Sequence, residues 1–239
     1  MIELKNVSYK VSDEKLNSEL EIINNLNLTI PEGKITAITG QNGSGKSTIV
    51  KLLMGIIKPT SGKIFYNGRD ITQLSISQRA NEGFTLAFQQ PVKFKGIKVK
   101  DMLNLANKKQ NNVPDACEYL ARVGLCAKNY VERELDDTLS GGELKRIEIA
   151  LSLCKGGEVF LFDEPEAGID LWSFDDLVKV FKALKDKTVI IVSHQSRILE
   201  LADYILLLNK ENAPVFDVAK NVLKTLSQPK CEVLGGQNG

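Results

Sequence analysis

Apolar residues in this chain gather into short unbroken runs, separated by turn residues and by stretches with helical spacing. Glu21 to Ile30 reads as a strand, Pro31-Glu32-Gly33 as a turn, and Lys34 to Thr39 as a buried strand. From Lys46 to Ile56 the apolar residues return at Ile49, Leu52, Leu53 and Ile56, which predicts a helix, and Pro59 to Gly62 punctuates it. A further strand falls within Gly83 to Gln90. Met102-Leu103-Leu105-Ala106 and Ala116-Tyr119-Leu120-Val123 are two helical patterns, and a long helix follows over Gly141 to Cys154. Glu158 to Phe162 and Thr188 to Ser193 are apolar strands that end in Asp163-Glu164 and His194. Tyr204 to Leu208 is a last strand and Val218 to Leu226 a last helix. This order predicts an α/β fold with a mostly parallel sheet and a small helical insertion at about 96–155, all in one domain over 1–230. The candidate polar groups stand where strands end, the edge at which such sheets bind ligands. The Gly-rich, polar stretch from Cys231 to Gly239 is expected to be a flexible tail.

Composition narrows the class. With 43% hydrophobic and 26% charged residues in 239, the chain matches an ordinary globular protein able to bury a sizeable core. A net charge of +1 gives no reason to expect nucleic acid as a partner. No stretch approaches the roughly 20 apolar residues of a membrane span, and Met1-Ile2-Glu3-Leu4-Lys5-Asn6 has no secretory character. Cys117, Cys126, Cys154 and Cys231 form no Cys-x-x-Cys pair, as expected of thiols in a reducing cytoplasm.

The chemistry is carried by a few phrases. Gly40-Gln41-Asn42-Gly43-Ser44-Gly45-Lys46-Ser47, followed by Thr48, lies between a predicted strand and a predicted helix. Glycines let backbone N–H groups turn inward on phosphate oxygens, and the N-terminus of the following helix adds positive field. Lys46 would reach the β- and γ-phosphates and the Ser47 hydroxyl a magnesium ion. Chance gives this pattern in a chain of this size on the order of 1% of the time. Leu139-Ser140-Gly141-Gly142-Glu143 opens the second long helix with Ser140 as N-cap. Val159-Phe160-Leu161-Phe162-Asp163-Glu164 is four apolar residues and two acids, and acids at the mouth of a buried strand call for a positive or donating partner. His194, the only histidine, closes another strand.

Taken together, the phosphate loop, the Leu139–Glu143 signature and the Asp163-Glu164 pair resemble those of the ABC-type ATPases. The resemblance implies the ABC-type P-loop ATPase fold, with an N-terminal antiparallel β subdomain beside the mostly parallel core. It implies ATP and Mg2+ as ligands, with Ser47, Gln89 and Asp163 facing the metal. Glu164 is then the general base for the attacking water and His194 the switch residue at the γ-phosphate. Gln89, in Ala87-Phe88-Gln89-Gln90-Pro91, matches the glutamine that couples the site to a partner docked on the insertion; Gln90 is a weaker match. Ser140, Gly141 and Gly142 would act on nucleotide bound by a second protomer, in an ATP-dependent head-to-tail homodimer, and Asp170 would connect the two sites. Where the family stacks adenine on an aromatic residue, this chain has Val11.

Within that family several phrases are similar to the SufC family of iron–sulfur assembly ATPases. They are Leu74-Ser75, Arg79-Ala80 and Glu82-Gly83 ahead of Gln89, Glu143-Leu144-Lys145-Arg146-Ile147-Glu148 after the signature glycines, Pro165-Glu166-Ala167-Gly168-Ile169-Asp170, and His194 to Leu199. This implies a cytoplasmic ATPase that drives SUF-type scaffold proteins of the SufB/SufD kind. Pro165, a short stretch between Gly96 and Leu139 and the sequence from Asn209 onward depart from the pattern. The alternative is the nucleotide-binding subunit of an ABC membrane transporter; a third reading, a nucleotide-gated module that barely hydrolyses, is opposed by Glu164. Lys93, Lys95, Lys98 and Lys100 form either a solvated face or a docking patch for an acidic partner.

Overall fold

The apolar runs become strands buried on both faces. In a computed structural model, which describes residues 1–13, 18–107, 114–210 and 212–226, a six-stranded sheet has the order Val215–Val218, Tyr204–Leu208, Ile35–Gly40, Thr188–Val192, Val159–Asp163, Phe84–Ala87. Every neighbouring pair in it is parallel except the antiparallel edge strand Val215–Val218. Strands buried on both faces lose the apolar–polar alternation of a half-exposed sheet. Their period of two shows instead in which core each residue enters. Phe160, Phe162, Val189 and Ile191 face a core shared with the signature helix Gly141–Lys155 and the helix Leu171–Ala183. Val159, Leu161, Ile190 and Val192 face the opposite core, which contains Ile49, Leu52 and Leu53 of the helix Lys46–Met54.

That second core is closed by an antiparallel sheet in the order Ser18–Ile30, Ile2–Asp13, Ser61–Tyr66, Arg69–Asp70. Its register pairs Ile2 with Ile30 and with Tyr66, and Leu4 with Leu28 and with Ile64. This is the expected N-terminal β subdomain. The reading from periodicity passed over the strand Ile2–Asp13, where the alternation of apolar and polar residues changes phase at Lys5-Asn6 before resuming at Val7, and register shifts interrupt the pairing.

The insertion contains the two expected helices, Val99–Ala106 and Pro114–Arg122, and both pack against the signature helix. A two-stranded antiparallel sheet of Phe94–Lys98 and Glu134–Leu135 brackets them, one strand before the first helix and the other after the second. It accounts for most of the lysine cluster. Lys93 pairs with Asp137 at 2.5 Å, and Lys98 and Lys100 both reach Glu132, at 3.0 and 2.6 Å. These three bases are thus neutralised by acids that flank the strand Glu134–Leu135, which supports the solvated-face reading. The expected tail from Cys231 lies outside the described residues.

Candidate functional site

The strand Ile35–Gly40 delivers the phosphate loop to the C-terminal edge of the sheet, and the helix Lys46–Met54 continues from it. Gly45, at the N-cap, has φ 91°, and a Cβ there would lie 2.6 Å from Ile23 Cδ1. Only glycine lets the loop lie this close to the β subdomain. The Ser44 N–H donates to the Gln41 carbonyl at 3.2 Å. Lys46 is buried, with its ammonium folded back onto the carbonyls of Gly40 (3.0 Å) and Gln41 (2.9 Å). Burial lowers its pKa, opposed by the nearby charges of Glu164 and Asp163.

Next to this loop stand the acids of the neighbouring strand. The Ser47 hydroxyl donates to Asp163 Oδ1 at 3.0 Å. Burial raises the Asp163 carboxyl above the usual range, and the Ser47 hydrogen bond works against that rise. Glu164 has φ 46°, a left-handed conformation costing a side-chain-bearing residue about 1–2 kcal/mol, and its N–H donates to the Val192 carbonyl at 3.0 Å. The sharp turn directs its carboxylate toward Gln89, whose Nε2 donates to Glu164 Oε2 at 2.8 Å. Gln89, the stronger of the two matches in the sequence, thus lies within hydrogen-bond reach of Glu164. A cleft of about 660 Å³ brings together Asn42, Gly43, Gly45, Lys46, Ser47, Thr48, Gln89, Glu164 and His194, with Ile22 at its side. An adjoining cavity of about 800 Å³ joins Gly43 and Ser44 to Leu20 and Ile22 and to Asn209 and Lys210. Leu20 is paired with Val11, and both are exposed, so this rim presents aliphatic side chains where an aromatic was expected.

Ser140, Gly141, Gly142 and Asp170 do not line that cleft. Ser140 caps the signature helix in a capping box, its hydroxyl accepting from the Glu143 N–H at 3.2 Å while Glu143 accepts from the Ser140 N–H at 2.7 Å. Asp170 caps the helix Leu171–Ala183 through the Ser173 N–H at 2.9 Å. Arg146 donates to Ser173 Oγ at 3.0 Å, tying the signature helix to this second cap.

Sequence reasoning missed two supporting contacts. The Ser193 hydroxyl donates to Glu166 Oε1 at 2.5 Å, joining the segment after Glu164 to the strand end that carries His194. Behind Gln89 lies a buried pair, Lys145 and Glu148, from the signature helix. The sequence signal for it was two opposite charges three residues apart on a helix flanked by Leu144, Ile147 and Ile149.

The chain is similar to known proteins. A family model described as ABC transporter matches residues 23–167. An uncharacterized ABC transporter ATP-binding protein of Methanocaldococcus jannaschii is 43% identical over 198 residues, 79% of each chain. An energy-coupling factor transporter ATP-binding protein EcfA2 of Spiroplasma kunkelii is 34% identical over 227 residues, 87% of this chain and 72% of that protein. The iron–sulfur cluster assembly protein SufC of Plasmodium berghei is 32% identical over 209 residues, 80% of this chain and 57% of that protein. Among solved structures, the dimeric structure of a bacterial ABC transporter cassette superposes with a TM-score of 0.82 at 23% identity, covering 92% of this chain and 99% of that one, which shows the fold.

Proposed function

The chain belongs to the ABC transporter family, as an ABC-type ATPase, and from that membership we propose that it is the ATP-hydrolysing motor subunit of a larger assembly, working as a head-to-tail dimer. The observation that carries this reading is the division of the motifs. Gln89, Glu164 and His194 converge with the phosphate loop on one cleft, whereas Ser140, Gly141 and Gly142 stand outside it. A second protomer supplying its signature to this cleft would complete the site.

The residues fit their ligands. The loop offers backbone donors and the Lys46 ammonium to a triphosphate. Ser47 and Asp163 offer a hydroxyl and a carboxylate 3.0 Å apart, the hard oxygen donors that magnesium takes. When bound, that ion would neutralise charge on the β- and γ-phosphates. Lys46 then leaves the Gly40 and Gln41 carbonyls for phosphate oxygens. Glu164, oriented by the Gln89 amide, accepts the proton of the attacking water, and His194 holds the γ-phosphate. Replacing Glu164 with Gln keeps the shape and removes the base, so this variant should accumulate as an ATP-bound dimer. A variant that stays monomeric by light scattering in saturating ATP, alone and with its partner present, would overturn the dimer mechanism.

The partner is of one of two kinds. The relatives named as transporter ATP-binding proteins favour a membrane permease. Among the described residues no helix is long and apolar enough to cross a membrane. The SufC relative, together with the phrases around Glu143 and Glu166, supports the second reading, a SUF-type scaffold of the SufB/SufD kind in the cytoplasm. Either partner has an apolar groove available beside Gln89, about 350 Å³ and lined by Phe88, Val92, Phe94, Met102 and Leu105. Purifying the native complex in mild detergent separates the readings. A polytopic membrane protein in the eluate establishes the transporter motor. A soluble partner that carries iron and sulfide establishes the assembly role.

A further inference from the structure

The loop that carries Gln89 is gripped from behind by two charged residues of the signature helix. The side chain of Lys145 is 1% exposed and that of Glu148 14%, and the two lie 3.5 Å apart. The Phe88 N–H donates to Glu148 Oε1 at 2.7 Å. The Lys145 ammonium donates to the Phe88 carbonyl and reaches the carbonyls of Gln89 and Asp163, each at 3.4 Å. One side chain therefore touches the backbone on either side of the Gln89–Glu164 hydrogen bond. Burying such a pair is an expensive way to stabilise a core, since two apolar residues of similar volume serve at least as well. Burial drives both groups toward their neutral forms, and their contact with each other opposes it.

We propose that Lys145 and Glu148 are a positioning pair that holds Gln89 in register with Asp163 and Glu164, so that ATP hydrolysis depends on the pair and nucleotide binding does not. The proposal rests on the ATPase reading above and adds a physical link from the signature helix to the Gln89 loop.

Lys145→Met alone strands a buried carboxylate and can fail to fold, so the informative variant is Lys145→Met combined with Glu148→Leu, which replaces both charges with apolar volume. Steady-state hydrolysis and thermal melting are measured on this protein, on Glu148→Gln and on the unmutated chain. The double variant is expected to fold but to melt below the unmutated chain, because the Phe88 N–H and the carbonyls that Lys145 served lose these partners, with KM for ATP changed less than about threefold and kcat lowered about 10- to 100-fold, the effect of a small misplacement of a catalytic group. Glu148→Gln, which still accepts from Phe88, should fall between the two. A folded double variant with full kcat, or one in which only KM changes, overturns the proposal. Hydrogen exchange on the unmutated chain gives a test that needs no variant. The Phe88 amide should be protected although its side chain is exposed, and free exchange there would also overturn the clamp. If the unmutated chain hydrolyses no ATP, the ATPase reading falls, and Phe88 protection still decides whether the grip exists.

Discussion

Arg79 is fully buried, and its guanidinium is spent on four carbonyls: Leu52 (2.5 Å), Leu53 (2.6 Å), Ile71 (2.8 Å) and Thr72 (3.1 Å). Leu52 and Leu53 end the helix that starts at the phosphate loop, so a cation meets the negative pole of that helix. Burial lowers the Arg79 pKa to about 10, which leaves it charged at neutral pH. Arg79→Met removes four hydrogen bonds from a charged donor, at a cost of about 3–5 kcal/mol, although the carbonyls of Leu52, Ile71 and Thr72 keep a second donor in the Gly55 N–H, the Leu74 N–H and the Lys58 ammonium. The melting temperature should fall by about 10 °C or more, and a fall of less than about 3 °C would show the carbonyls finding other partners. A second residue ties stability to pH. Tyr130 Oη donates to Glu143 at 2.6 Å, and this bond, with the Ser140 N–H, lowers the Glu143 pKa below its ordinary 4.5. A carboxylate with a depressed pKa contributes stability above its unfolded pKa and loses it as pH falls through the folded value. Glu143→Gln keeps an acceptor for Ser140 but no charge. It should cost about 1 kcal/mol at pH 7, and the gap from the unmutated chain should close as pH drops below 4. A gap that stays constant would mean the charge contributes nothing. At this scale the candidate phosphate-binding residues were legible because each type has one expected chemical use there. Arg79 was legible only as part of a familiar phrase; its role in capping a helix appears only once the chain is folded.

The elements repeat this contrast. Parallel strands announced themselves as apolar runs, and the signature helix through its Ser140 cap. The helix Leu171–Ala183 did not stand out, although Asp170 caps it as well as Ser140 caps the other. Its first turn is Leu171-Trp172-Ser173, with Leu171 and Trp172 exposed, so no polar–apolar period begins at its start. These two helix starts meet. A Cβ on Gly142 would collide with the carbonyl oxygen of Gly168, the residue two before Asp170. Gly142→Ala should therefore push the 165–170 segment away from the signature. Because the obstacle is backbone and cannot rotate aside, melting should fall by several degrees, corresponding to about 1–3 kcal/mol of overpacking. Unchanged melting would indicate that the 165–170 segment shifts freely, and that the contact is not a constraint between the two elements.

On the proposed dimer mechanism the molecule as a whole holds half of two sites. Its cleft gathers the phosphate loop, Gln89, Glu164 and His194, and its signature stands outside that cleft. In a closed two-fold dimer each cleft is completed by the other protomer, so each active unit draws on both chains. Complementation tests this directly. Lys46→Ala disables a protomer's own loop and leaves its signature intact; Ser140→Arg blocks a signature and leaves the loop intact. Each variant alone should be inactive, because every dimer then pairs a defect with each cleft. In a mixed dimer one cleft combines the intact loop of the Ser140→Arg chain with the intact signature of the Lys46→Ala chain, and the other cleft collects both defects. Random pairing of equal amounts makes half the dimers mixed with one good cleft each, so about a quarter of the unmutated activity should return. Activity from either variant alone would place the whole site within one chain. No recovery on mixing, with mixed dimers verified by light scattering, would mean that two intact clefts must act together. The sequence could state that both halves exist. Which half each protomer uses depends on where the signature lies relative to its own loop, a distance set by the packing of the inserted helices on the core and not by spacing along the chain.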